Sequence, residues 1–335
     1  MKCFASIVIF TLSCVANVLA RTKVGTYRGS YNFDLYSDGK ATIVGTYYDS
    51  MRDASIPPYI MVNKKQYLVT EIGADAFNGK EINQVTIDGN SDLLIKKDAF
   101  YGVKNLKKFV VTNKLVDAEI GAFRGIGTLV HFEGVGIENT VDRYSARLLK
   151  QWKLPVGKNY KYVDDDDKKH DLFTLGKQMQ KQFGIYDKVA YPDNAANVCF
   201  IGSGSSNGLA RLYRIMAMVM GISPNEVLTG CDNMHYCWNY VKVIGFREDK
   251  VKWHVFDIQD PIRDYLVYSP HSFKKESVFL STLNKYYGNS VTIDPHKFII
   301  FNNIYNYPNE SSSYSTVNEK FDNWLKRNNA GVRTL

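Results

Sequence analysis

Past its first twenty residues the chain has no apolar run near the ~20 residues a membrane-spanning helix needs. The first twenty are different: Lys2 precedes an apolar stretch from Phe4 to Val15, and Val18-Leu19-Ala20 suits signal-peptidase cleavage before Arg21. Cys14 follows Leu12-Ser13, a poor match to a lipoprotein cleavage box. Cysteine is scarce. Of five, Cys3 and Cys14 lie in the leader, leaving Cys199, Cys231 and Cys237. An odd count in an oxidising compartment predicts one disulfide and one free thiol, with all three residues candidates for the bridge. No nucleic-acid module is visible. The glycine-serine cluster at Gly202-Ser-Gly-Ser-Ser206 lacks the following Gly-Lys-Ser/Thr of a phosphate loop. The acidic run Asp164-Asp-Asp-Asp167 lacks the glycine bend and closing glutamate of a calcium loop, and reads as a solvated loop. No metal site and no cofactor are expected.

What is present is an ordinary globular composition. The 335 residues are 45% hydrophobic and 23% charged, enough for one large or two medium domains. The formal charge is +8, of which Lys2 carries one unit, and the charges of both signs are interspersed. A mildly basic surface fits a solvated exterior, with acidic cell-surface glycans as a possible attraction. Asn309-Glu-Ser311 is a glycosylation sequon.

The first half is repetitive. Tyr31 to Tyr36 and Ala41 to Tyr47 alternate around the turn Ser37-Asp-Gly39 and predict a β-hairpin. Then Ile72-Gly-Ala-Asp-Ala76-Phe77-Asn-Gly79 recurs as Ile95…Ala99-Phe100-Tyr-Gly102, and again as Ile120-Gly-Ala122-Phe123-Arg-Gly125, in steps of 23 residues from Phe to Phe. A strand-like run follows each Phe, at 85–87, 109–111 and 129–132. Such units cannot bury an apolar face alone and must stack, with the three phenylalanines as a ladder. They resemble the BspA-type leucine-rich repeats over residues 21–137. That resemblance implies recognition or adhesion on a concave sheet, or else a packing scaffold for the next domain.

The second half mixes helices and strands. Residues 138–150 and 172–183 have helical spacing, and Ala210 to Met220 is the most apolar helical stretch and the expected central helix. Strands are expected at 241–244 and 251–256, with a further one at 297–301. Gly204-Ser-Ser206-Asn-Gly208-Leu-Ala210, Trp238-Asn239-Tyr-Val241 and Trp253…Asp257 resemble the three signatures of the transglutaminase-like superfamily, a papain-like fold. The whole chain is thus expected to be α+β: a 1–20 leader, a 21–137 solenoid and a 138–335 transglutaminase-like domain.

The resemblance places Ser206 at the nucleophile, Tyr236 at the base and Asp257 at the orienter, with Trp238, Asn239 and Trp253 as binding candidates, although tryptophans in such strands are more often core aromatics than substrate platforms. His235 lies one residue off the base register, on the opposite face of a regular strand. Cys237 points away from the site by the same alternation. A serine hydroxyl titrates far above a thiol, so a thiol site rebuilt with serine loses most activity. The expected reading is a secreted or surface pseudoenzyme that binds a protein or a cell-surface glycan. The alternative is an active acyl-transfer enzyme using Ser206 or a displaced cysteine, His235 and Asp257.

Overall fold

The computed structural model describes residues 21–89, 91–162, 165–185, 193–224, 226–231, 237–244 and 251–258. The leader, Asn309 and the expected strand at 297–301 lie outside these residues.

The expected hairpin is there, extended by one strand. β1 (Lys23–Arg28), β2 (Tyr31–Tyr36) and β3 (Lys40–Thr46) form an antiparallel ribbon. Alternate residues Tyr31, Phe33 and Leu35 point into the core. Next come β4 (Asp53–Ile56), β5 (Tyr59–Val62) and β6 (Lys65–Ile72). Then the repeat takes over, through β7 (Gln84–Ile87), β8 (Leu93–Ile95), β9 (Lys108–Val111), β10 (Val116–Ala118) and β11 (His131–Glu133).

The repeat builds two sheets rather than one. β6, β8 and β10 run parallel and continue the β1-β2-β3 ribbon, while β4, β7, β9 and β11 form a second parallel sheet. Each coil of the solenoid therefore goes strand, tight turn, strand. The turns keep the same two left-handed positions: Asp75, Asp98 and Gly121, then Gly79, Gly102 and Gly125. The third copy corrects the sequence alignment. Ala118, not Ile120, pairs with Ile95 and occupies the buried position that Ile72 and Ile95 hold in the earlier coils. Ile120 is only partly buried.

The phenylalanine ladder forms. Phe77 stacks on Phe100 at 4.9 Å between ring centroids, and Phe100 on Phe123 at 5.8 Å, with the planes within 7° of parallel. Tyr31 meets Phe77 edge-on at the ribbon end. At the other end Phe200 closes the ladder, 4.8 Å from Phe123 and 5.0 Å from Phe132.

Phe200 belongs to the helical half. There α1 (Ile137–Gln151) lies along β10, followed by α2 (Asp165–Gln182), the short strand β12 (Gly184–Ile185) and α3 (Ala195–Ile201). β13 (Ser203–Gly204) pairs with β12 and leads into α4 (Ser206–Met220). β14 (Val227–Cys231), β15 (Cys237–Ile244) and β16 (Val251–Phe256) make an antiparallel sheet on which α4 packs. Repeat and helical halves share one continuous core.

The acidic run is a correction. From Asp165 it is the first turn of α2, not a solvated loop. Carboxylates are favourable there because the unpaired N–H groups of a helix start carry partial positive charge. Lys168, in the same run, is 4% exposed and pairs with Glu226 at 3.1 Å.

Candidate functional site

α4 starts where the chain can hold a side chain rigidly. Asn194 caps α3, accepting from the N–H groups of Ala196 and Asn197 at 2.7 and 3.3 Å. Gly202 ends α3 in the left-handed region. Ser205 then caps α4, its Oγ accepting from the Gly208 N–H while donating to Asp193. Ser206 follows as the first helical residue and is 8% exposed. Its Oγ accepts the backbone N–H of Cys237 at 3.0 Å. One hydrogen bond thus joins the expected nucleophile position to the start of β15.

A second tie lies along the same strand. The Asn239 side chain donates to the Ala210 carbonyl at 2.9 Å and to Leu228 O and Thr229 Oγ1 at 3.3 Å. Residues 237, 239, 241 and 243 therefore face α4, and Cys237, Val241 and Val243 enter the core. This overturns the expectation that Cys237 points away from α4: alternation places it on the helix side with Asn239. Trp238 and Tyr240 occupy the opposite face of β15.

Asp257 follows Phe256, the register partner of Asn239, so it ends β16 level with the start of β15. It is half-buried. Phe256 is fixed by stacking on Tyr213 of α4 at 4.8 Å. On the other side stands Gly176 of α2, where an added Cβ would come within 2.1 Å of the Phe256 ring. Ser206, the β15 start and Asp257 therefore lie at the same end of the α4–sheet layer, with Asp257 level with Trp238. His235 and Tyr236 lie outside the described residues, as does the Trp253 side chain.

Two of the binding candidates are buried, Trp238 in the core role that its residue type favours. Trp238 is 2% exposed and Asn239 fully buried with its amide bonded to α4 and β14. Neither offers a surface to a ligand in this conformation.

The thiols divide. Cys199 is free and buried in α3, and burial pushes its pKa well above the ordinary range. It is not an activated nucleophile. It also drops out as a bridge candidate. Cys237 is disulfide-bonded, and Cys231 faces it in register across β14 and β15. In a chain begun at Arg21, Ellman's reagent should find one thiol, and only after unfolding. Detection of three thiols would refute a Cys231–Cys237 bridge.

Sequence reasoning missed the buried cation beside the site. Arg211 is fully buried on α4 and its Nε donates to Asn207 Oδ1 at 2.6 Å. An i to i+4 Asn-Arg pair on an apolar helix was the available signal. Among the described residues no group of three or more His, Cys, Asp or Glu side chains could hold a metal. No described helix is long and apolar enough to cross a membrane.

The first half is a solenoid of short parallel strands in two sheets. Similar solved structures include a leucine-rich cell surface protein from Faecalibacterium prausnitzii A2-165, 23% identical, covering 33% of this chain and 31% of that one, TM-score 0.24. A leucine-rich repeat protein from Bacteroides capillosus ATCC 29799 is 24% identical, covering 32% and 99%, TM-score 0.25. Another from Bacteroides ovatus ATCC 8483 is 16% identical, covering 34% and 36%, TM-score 0.22. The chain spans about a third of the length of the first of these. No family model matches the chain, and no curated protein does.

Proposed function

We propose that this is a secreted or surface-held binding protein, in which residues 21–137 form the recognition array and residues 138–335 a catalytically inert transglutaminase-like domain. One observation carries the inert half. The position that resembles the family's thiol is a serine whose Oγ is already bonded to the Cys237 N–H. A hydroxyl there needs a well-aligned base and a separate oxyanion hole to act, whereas a thiol is partly ionised near neutral pH. The sulfur nearest in sequence register, Cys237, is tied up in a disulfide. No cofactor enters this reading, and the partner is a protein or a surface glycan.

The second reading, an acyl-transfer enzyme with Ser206, His235 and Asp257, is favoured by Ser206 and Asp257 lying at the same end of the sheet. One assay separates the two: incorporation of monodansylcadaverine into casein by the purified chain and by Ser206→Ala. Both should sit at the blank rate. Turnover that disappears in Ser206→Ala would establish the enzyme instead.

A further inference from the structure

We propose that the outer face of the sheet beside α1 is a groove for an extended peptide of a partner protein, with alternate aliphatic side chains and a carboxylate. This rests on the binding role given above to the repeat array and names what that array takes.

The groove is about 560 Å³. That is ample for several side chains, within the range of ordinary ligand clefts. Its floor is made of outward-facing residues of β6 and β8 and the residue just before β10: Leu68, Leu94 and Leu115. Leu68 is 41% and Leu115 38% exposed. They lie two strand spacings apart, about 10 Å, too far for one side chain to cover and suited to an elongated ligand. The apolar surface runs on to Tyr59 of β5, also exposed, which pairs directly with Leu68.

Charge decides between occupants. Three cations and two carboxylates, Asp92 and Asp117, line the groove. Arg147 is held by both oxygens of Asp117, and Lys40 sits 3.3 Å from Asp38. Those two are balanced within the protein. Arg143 donates to the Leu115 carbonyl at 3.1 Å, a neutral partner, so its guanidinium keeps its charge and its remaining N–H groups at the groove edge. A polyanion such as heparin would find one uncompensated cation at the edge, the exposed carboxylate of Asp92 and a floor of leucines. One carboxylate with aliphatic neighbours is the better complement. The floor is also aliphatic rather than aromatic, which suits leucine-like side chains.

The test is fluorescence anisotropy with the full chain and a fluorescein-labelled Leu-Ser-Leu-Thr-Leu-Asp peptide at about 150 mM salt. Saturable binding is expected. The double variant Leu68→Lys, Leu115→Lys should weaken it at least about tenfold, and Arg143→Glu should do the same independently. Both alter exposed residues, and unchanged thermal melts would show that folding is intact. Heparin should not compete. Wild-type affinity in both variants, full competition by heparin, or a dimer that the leucine variant dissolves would each overturn the proposal. If the chain still adheres to a protein or glycan surface while those variants change nothing, the binding role stands and this groove is not its site.

Discussion

Replacing Phe100 by alanine should lower the unfolding free energy by about 3–5 kcal/mol, among the largest single-residue losses in the chain. The ring is fully buried and stacked between Phe77 and Phe123, with Phe109 edge-on at 5.4 Å. Its removal takes a whole aromatic layer from the ladder. Collapse into the gap is hindered because the coils on either side are held apart by parallel strand pairing in both sheets. The cost should therefore fall at the high end for its size, with little relaxation to offset it. Urea unfolding measures it. Tyr101→Ala, one residue on and exposed apart from the Arg124 guanidinium over its ring, is the control and should cost no more than about 1 kcal/mol. A Phe100→Ala loss below that of the control would refute the ladder as the source of the repeat's stability.

Gly221→Ala should cost about 2–5 kcal/mol, combining backbone strain with overpacking. Gly221 ends α4 at φ 111°, a conformation that side chains other than glycine rarely adopt. Its amide closes the helix on Met218, and the Lys158 N–H takes the Met220 carbonyl. An added Cβ would stand 2.0 Å from the Lys158 carbonyl oxygen. Main-chain atoms cannot swing aside as a flexible side chain can. The substitution would push the end of the central helix off the segment that follows α1. Thermal unfolding beside Gly157→Ala, which also has positive φ but open space around its Cα, separates strain from collision. Equal losses in the two variants would sink the collision argument.

The solenoid was legible because its signal is periodic. Phe, Ala and Gly recur at a fixed step, and each has one physical job: ring stacking, close packing, and a left-handed turn. The intervening strands β8 and β10 were not legible. Three residues, Leu93–Ile95 or Val116–Ala118, are too short to show alternation on their own. The 23-residue step could have found them, had Ala118 been aligned with Ile95 instead of Ile120. The acidic run misled only as to its backbone: Asp166 and Asp167 are exposed, as their charge implied, but they sit at a helix start and not in a loop. β14 was missed because the Gly230-Cys231 segment reads as a turn.

At the candidate site the sequence located the start of α4 but not the orientation of β15. Alternation says that Cys237 and Asn239 share a face, and nothing in the strand alone says which face meets α4. That is settled by distant partners: the Ala210 carbonyl and the apolar side of α4, which takes Val241 and Val243. Trp238 read more as a core aromatic than as a ligand platform, and it is buried beside Asn239. Trp238 and Tyr240 are buried on one face of β15 and Asn239 on the other.

Phe200 seals one mouth of the coil stack and the antiparallel ribbon seals the other. A lineage that needed a longer array could not append coils at either mouth without exposing an aromatic layer to water. New coils would have to be spliced between existing ones, in whole 23-residue increments, each lengthening the stack by about 4.8 Å.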